Sequence, residues 1–160
     1  MQASATTEPQ ASRPAGRIVG HCDLRLWSLS QAERWRRTLQ RSGIEPAADG
    51  DAPFPVSGSV VIVRADYVLD GGLVKALAAT PGCLLAVDTA AGRDIVAAHV
   101  DAASVPAVLP LLRQGAANPG AAIDPSIAVL GPDELGARHD SALRKRARPF
   151  AIRLTPDSLD

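Results

Sequence analysis

Four consecutive β-branched residues, Val60-Val61-Ile62-Val63, leave this chain few folds to choose from. Branching at Cβ favours extended backbone, and an unbroken apolar run has no polar side to show to water. Such a run belongs in a strand covered on both faces, as in a parallel sheet between helical layers. Cys83-Leu84-Leu85-Ala86-Val87 has the same character. Between the two, Asp70-Gly71-Gly72 opens a helical stretch in which Leu73, Val74 and Leu77 share a face, and Thr80-Pro81-Gly82 closes it. Strand, helix, strand in this order builds parallel strands joined by a right-handed crossover.

The flanking sequence extends the pattern. Arg17-Ile18-Val19-Gly20 reads as a short strand. Ser30, followed three residues later by Glu33, is a capping box at a helix start. Ala32, Trp35 and Leu39 then form the apolar stripe, Arg34, Arg37 and Arg41 point elsewhere, and Gly43 ends the helix. Residues 45–58, with three prolines and two glycines, form a loop. After the turn Thr89-Ala90-Ala91-Gly92, residues 94–100 are expected as an antiparallel edge partner. Ala103 to Gln114 is helical in tendency despite Pro106 and Pro110, Ile127-Ala128-Val129-Leu130 is one more short strand, and Pro149-Phe150-Ala151-Ile152 reads as an extended piece. The expectation is one three-layer α/β/α domain over residues 17–137 with a mostly parallel sheet. It follows a disordered tail over 1–16, whose Ala, Ser, Thr, Pro and Gln cannot repay the entropy of ordering, and precedes a basic segment over 138–160.

Composition narrows the function. A formal net charge of zero gives no global attraction to nucleic acid, so any electrostatic role is local. Residues 1–16 lack the basic and apolar regions of a secretory signal, which makes the cytoplasm the expected location. The apolar stretch from Ile95 to Leu112 is broken by His99, Asp101, Pro106 and Pro110 and is no membrane span. Cys22 and Cys83, without metal-type spacing, read as reduced core thiols. His21, His99 and His139 are too scattered to ligate one metal and read as structural. Trp35 belongs to the core, while Trp27 is a candidate wall for a pocket. No G-x-S-x-G setting surrounds Ser28 or Ser30.

The central run stops at Arg64, Asp66 and Asp70. Ligands of open parallel sheets bind outside the carboxyl ends of the strands, and there an Asp can hold Mg²⁺ while an Arg neutralises phosphate. The plainer reading makes Asp70 a helix cap, pairs Arg64 with an acid, and ties Asp66 to its own turn.

The strings VIVRADYVLD, RLWSLSQAERWRRTL and LRKRARPFAIRLTP resemble the cytosolic N-terminal region of some bacterial CDP-alcohol phosphatidyltransferases. That region is itself similar to the Rossmann-like nucleotidyltransferase fold of sugar-phosphate and alditol-phosphate cytidylyltransferases. The resemblance implies that Asp66 binds a metal and nucleotide phosphates, with Arg25 and Arg64 beside it, and that the ligand is a nucleotide or a sugar or alditol phosphate. It also implies a membrane transferase domain in cis, placing the chain at the inner face of the membrane. The chain departs from the family's L-x-A-G-x-G-x-R loop, reading Gly20-His21-Cys22-Asp23-Leu24-Arg25 instead, so one glycine and Arg25 survive and Asp23 opposes phosphate. Asp124 and Asp133, beside prolines, look like turn residues rather than a second metal ligand. The transferase's own D-x-x-D-G-x-x-A-R motif is absent, so phosphatidyl transfer is beyond these residues.

The expectation is therefore a degenerate nucleotidyltransferase-like domain. A structural or dimerising module and an active cytidylyltransferase stand as alternatives. Arg144, Lys145, Arg146 and Arg148 are the candidate contact with anionic lipid or a partner, against the plainer reading of a solvated face balanced by Asp133, Glu134 and Asp140.

Overall fold

The computed structural model describes residues 13–46, 53–114, 124–139 and 149–159. In chain order its elements begin β1 (Ala15–Val19), β2 (Arg25–Leu26), β3 (Leu29–Ser30), α1 (Gln31–Arg41), β4 (Glu45–Pro46), β5 (Ser59–Arg64) and β6 (Tyr67–Leu69). They continue α2 (Gly71–Ala79), β7 (Cys83–Thr89), β8 (Gly92–Asp101), α3 (Val105–Gln114), β9 (Ala128–Leu130), α4 (Pro132–His139) and β10 (Ala151–Arg153). The central sheet has six strands in the order β4-β1-β5-β8-β7-β9. Every neighbouring pair is parallel except the two that β8 makes.

The central run behaves as its chemistry dictates. Val61 and Val63 face a core shared with Trp35, Leu39, Leu73, Leu77 and Leu135, from α1, α2 and α4. Val60 and Ile62 face the opposite core, with Val105, Val108 and Leu112 of α3. Helices on both faces make three layers, and a strand between them needs apolar side chains at every position.

Residues 94–100 are antiparallel, as expected, but lie between β5 and β7 rather than at an edge. Ile95 to Val100 is buried throughout, a burial that one covered face could not supply. A bulge adjusts the fit: Leu85 pairs with Ala97 and Ala86 with Ile95, which leaves Val96 as the extra residue. The first strand begins at Ala15, inside the stretch expected as tail, and Gly16 explains how closely it packs. A Cβ there would lie 3.0 Å from both Ile44 Cγ2 and Leu39 Cδ1.

The capping box of α1 forms as read, but its buried stripe is Gln31, Trp35 and Leu39, with Ala32 exposed. Both 31 and 32 lie within one turn of Trp35 on this face, at i−4 and i−3, and the longer Gln31 side chain takes the buried place. Pro106 lies in the first turn of α3, where its missing N–H costs nothing; Pro110 sits inside the helix. β10 pairs antiparallel with β6 in a separate two-stranded sheet, Phe150 O accepts from Asp70 N–H and Leu154 N–H donates to Asp66 O, so the chain from Phe150 to Leu154 is laid along the segment that follows β5. Arg144, Lys145, Arg146 and Arg148 lie outside the described residues. No helix among the described residues is long and apolar enough to cross a membrane.

Candidate functional site

The chain leaves β1, passes through α1 to β4 on one side, and returns as β5 on the other side of β1. Strand order therefore reverses between β1 and β5, and such a reversal opens a crevice beyond the strands' carboxyl ends. A cavity of about 260 Å³ lies there. Its walls include Arg17 and Ile18 of β1, the following Gly20, His21 and Cys22, the first residues of α1 (Ser30, Gln31 and Ala32), Arg36, and Ala65 just past β5. Gly20 adopts φ +80°, a left-handed conformation open to glycine at little cost, and this turns the chain sharply away from β1.

The electrostatics of the rim are mixed. His21 Nε2 and Asp23 Oδ1 are 2.6 Å apart, both exposed. At the start of α1, Glu33 Oε2 accepts from Ser30 N–H at 3.1 Å and from Ser30 Oγ at 3.0 Å, while Ser30 Oγ accepts from Glu33 N–H. The backbone donor of Ser30 holds the Glu33 carboxyl below its ordinary value, so the acid stays ionised. The reciprocal cap thus commits two helix-start N–H groups and sets a negative charge where phosphate would approach. Deeper in the walls, Gln31 is only 2% exposed, yet its Nε2 has no partner among the described residues; neither has the buried Nε of Arg17. Arg17 spends its other nitrogens on Gly16 O and Pro53 O, both at 2.8 Å.

The residues singled out from sequence are distributed differently. Asp66 follows Ala65 at the rim, but Arg64 Nε and Nη2 donate to its two oxygens at 2.9 and 2.7 Å, and Arg153 Nε adds a third contact at 3.2 Å. Arg64 also lies 3.6 Å from Asp94 Oδ2, which accepts from the Tyr67 hydroxyl at 2.9 Å, and its guanidinium stacks 5.0 Å from the Tyr67 ring centre. Burial first, then the bond to Asp94, pushes the Tyr67 hydroxyl up to about 12. A carboxylate already shared by two guanidinium groups does not suit Mg²⁺, which demands oxygen ligands in near-octahedral array. Among the described residues no three His, Cys, Asp or Glu groups gather to hold a metal ion.

Asp70 caps α2, accepting from Gly72 N–H at 3.2 Å. Arg25 stands exposed on the β2–β3 hairpin outside the cavity walls, where its charge acts on Glu33. Trp27 is not among the walls of this cavity: it is 85% exposed at the hairpin tip. Asp124 accepts from Ser126 N–H at 2.9 Å as a turn residue. Cys83 is core, whereas Cys22 is half-buried in the cavity wall. Gln31 and Arg36 went unread as wall residues, although a polar side chain in line with Trp35 and Leu39 was a legible signal.

Compared with protein-family models, with curated proteins and with solved structures, the chain matches none of them.

Proposed function

We propose that this chain is a degenerate nucleotidyltransferase-like domain of a CDP-alcohol phosphatidyltransferase-type protein. It binds a small polar alcohol phosphate, or the phosphate end of a nucleotide, in the crevice between β1 and α1 without efficient nucleotidyl transfer. The observation that carries the reading is the crevice itself: it lies at the reversal of strand order, with two buried unpartnered donors, Gln31 Nε2 and Arg17 Nε, on its wall residues. At about 260 Å³ it falls below the roughly 300 Å³ at which pockets for drug-sized ligands begin, so size favours a phosphorylated polyol over an intact nucleoside triphosphate. Charge argues the same way. Glu33 sets a negative charge at the helix start where a triphosphate would lie, and the Asp66 carboxylate is already bound to two arginines.

The structural-module alternative draws little support from the sheet edges, since β4 has two residues and ends in Pro46, and β9 has three. Calorimetric titration with glycerol phosphate, inositol phosphate, CMP, CDP and CTP, each with and without Mg²⁺, tests the proposal alongside an assay for pyrophosphate release. The expected result is binding of a monophosphate, weakened in Gln31→Leu and Arg36→Gln, with no Mg²⁺-dependent release. Rapid release abolished by Asp66→Ala would establish an active cytidylyltransferase instead; no binding of any of the five would leave the structural module.

A further inference from the structure

On the side of α1 away from the core, Arg34, Arg37 and Arg41 recur at helical spacing and form one stripe. Arg25 of the neighbouring hairpin joins them, because both Arg25 and Arg37 act electrostatically on Glu33. That acid is the cluster's visible counter-charge, and it is already engaged by Ser30. Among the described residues the ion pairs are His21–Asp23, Arg64 with Asp66 and Asp94, Arg93–Asp88 and Arg153–Asp66; none involves these four arginines. A chain of zero net charge therefore carries a concentrated positive patch on one helix and hairpin.

Trp27 stands at the tip of that hairpin, 85% exposed, with the Arg34 guanidinium 5.3 Å from its ring centre. Its neighbours Leu26 and Leu29 are half-buried. An indole held out in water beside unpaired arginines matches an interface that is apolar below and anionic above. Indoles settle at the level of lipid headgroups, and arginines bind headgroup phosphates. Single-stranded nucleic acid also attracts arginine, but it is held on successive stacking platforms, and Trp27 is the one aromatic stacked on these arginines among the described residues. We infer that the β2–β3 hairpin and the Arg34–Arg37–Arg41 stripe dock this domain on an anionic lipid surface, with Trp27 entering the headgroup layer. Arg25, Trp27, Arg34, Arg37 and Arg41 are not among the crevice walls.

The experiment uses the full chain with equimolar phosphatidylglycerol–phosphatidylcholine vesicles and with phosphatidylcholine vesicles, at low and high salt. Binding is read by co-sedimentation and by the emission of Trp27, taken as the difference between the chain and its Trp27→Phe variant. The expected result is salt-sensitive binding to the anionic vesicles with a blue shift of Trp27. In the Arg34→Gln/Arg37→Gln/Arg41→Gln variant, affinity falls on the order of a hundredfold, at about fivefold per charge. A variant with Arg144, Lys145, Arg146 and Arg148 all changed to Gln retains the shift. Equal binding to both vesicles, an unmoved Trp27 emission, or tighter binding to a single-stranded oligonucleotide under the same salt would each overturn the inference.

Discussion

Arg64 and Asp66 are joined side by side by two parallel hydrogen bonds, Nε to Oδ1 at 2.9 Å and Nη2 to Oδ2 at 2.7 Å. The guanidinium is nearly buried, and its further neighbour Asp94 stands 3.6 Å away. The fork therefore holds the end of β5 to the turn before β6, and through Arg153 to β10 as well.

Removing the acid should be felt as lost stability. Asp66→Asn keeps one acceptor oxygen but sets an NH₂ donor against the second Arg64 N–H and removes the charge. The guanidinium then keeps only the more distant Asp94 as an ionic partner, so the expected loss is about 3 kcal/mol, the lower end for breaking a buried pair. Arg153→Ala removes an exposed partner and should cost under about 1 kcal/mol. Urea unfolding of both variants measures the difference. An Asp66→Asn chain as stable as its parent would show that the fork contributes nothing to the fold.

Tyr67 is the chain's one tyrosine, so an ultraviolet titration of phenol ionisation reports it without ambiguity. Its hydroxyl should ionise near 12 in the folded chain and near 10 once unfolded. Because the folded state keeps a proton that the unfolded state releases, stability should fall as pH rises from about 10 to about 12. Tyr67→Phe removes this dependence and deprives Asp94 of its donor, at a cost of about 1 to 3 kcal/mol.

His99 gives the opposite arm of the pH profile. It is 3% exposed; its Nδ1 lies 2.7 Å from the Leu77 carbonyl oxygen, so Nδ1 carries the proton, and Nε2 is buried without a partner among the described residues. Burial lowers its affinity for a second proton and outweighs the nearby Asp101. The unfolded chain takes up that proton first, so stability should decline as pH falls below about 6.5, with a slope of at most about 1.4 kcal/mol per pH unit. His99→Asn keeps a donor for Leu77 and removes the titration. A denaturation series from neutral to mildly acidic pH should be flatter in that variant.

The parts of this fold that could be read from sequence are those decided by near neighbours. The run from Val60 to Val63 needed cover on both faces and has it, and Ser30, Glu33 and Asp70 cap the helices they announce. Less could be read where a distant partner decides. A stretch apolar at all but one position, as from Ile95 to Val100, fits the centre of a sheet whether parallel or antiparallel, so the place of β8 depended on β5 and β7 together. The fate of Asp66 depended partly on Arg153, 87 residues away, whose approach is set by the pairing of β10 with β6. The crevice walls were half legible: Gly20 before a capped helix marks a strand–loop–helix unit, but only the reversal of strand order turns that unit into a site.

The hairpin tip combines the two themes, because its backbone is strained where its side chain is exposed. Trp27 and Ser28 have φ of 49° and 67°, the left-handed region that costs a residue with a Cβ roughly 1–2 kcal/mol, in a two-residue connection that ordinarily selects Asn-Gly. Ser28→Gly should therefore stabilise the chain by about 0.5–1 kcal/mol, after allowing for glycine's greater freedom when unfolded, and should leave the Trp27 stack on Arg34 untouched. Trp27→Asn relieves similar strain but gives up an exposed cation–π contact of about 0.5–1 kcal/mol, so its stability should change little. Thermal unfolding of the two variants checks the ordering, with Ser28→Gly above Trp27→Asn. A turn built for stability alone would carry Asn-Gly, so under the docking proposal Trp27 serves a contact outside the fold at some cost to the turn. Vesicle binding should accordingly be unchanged in Ser28→Gly and weakened in Trp27→Asn, which keeps the arginines but loses the indole.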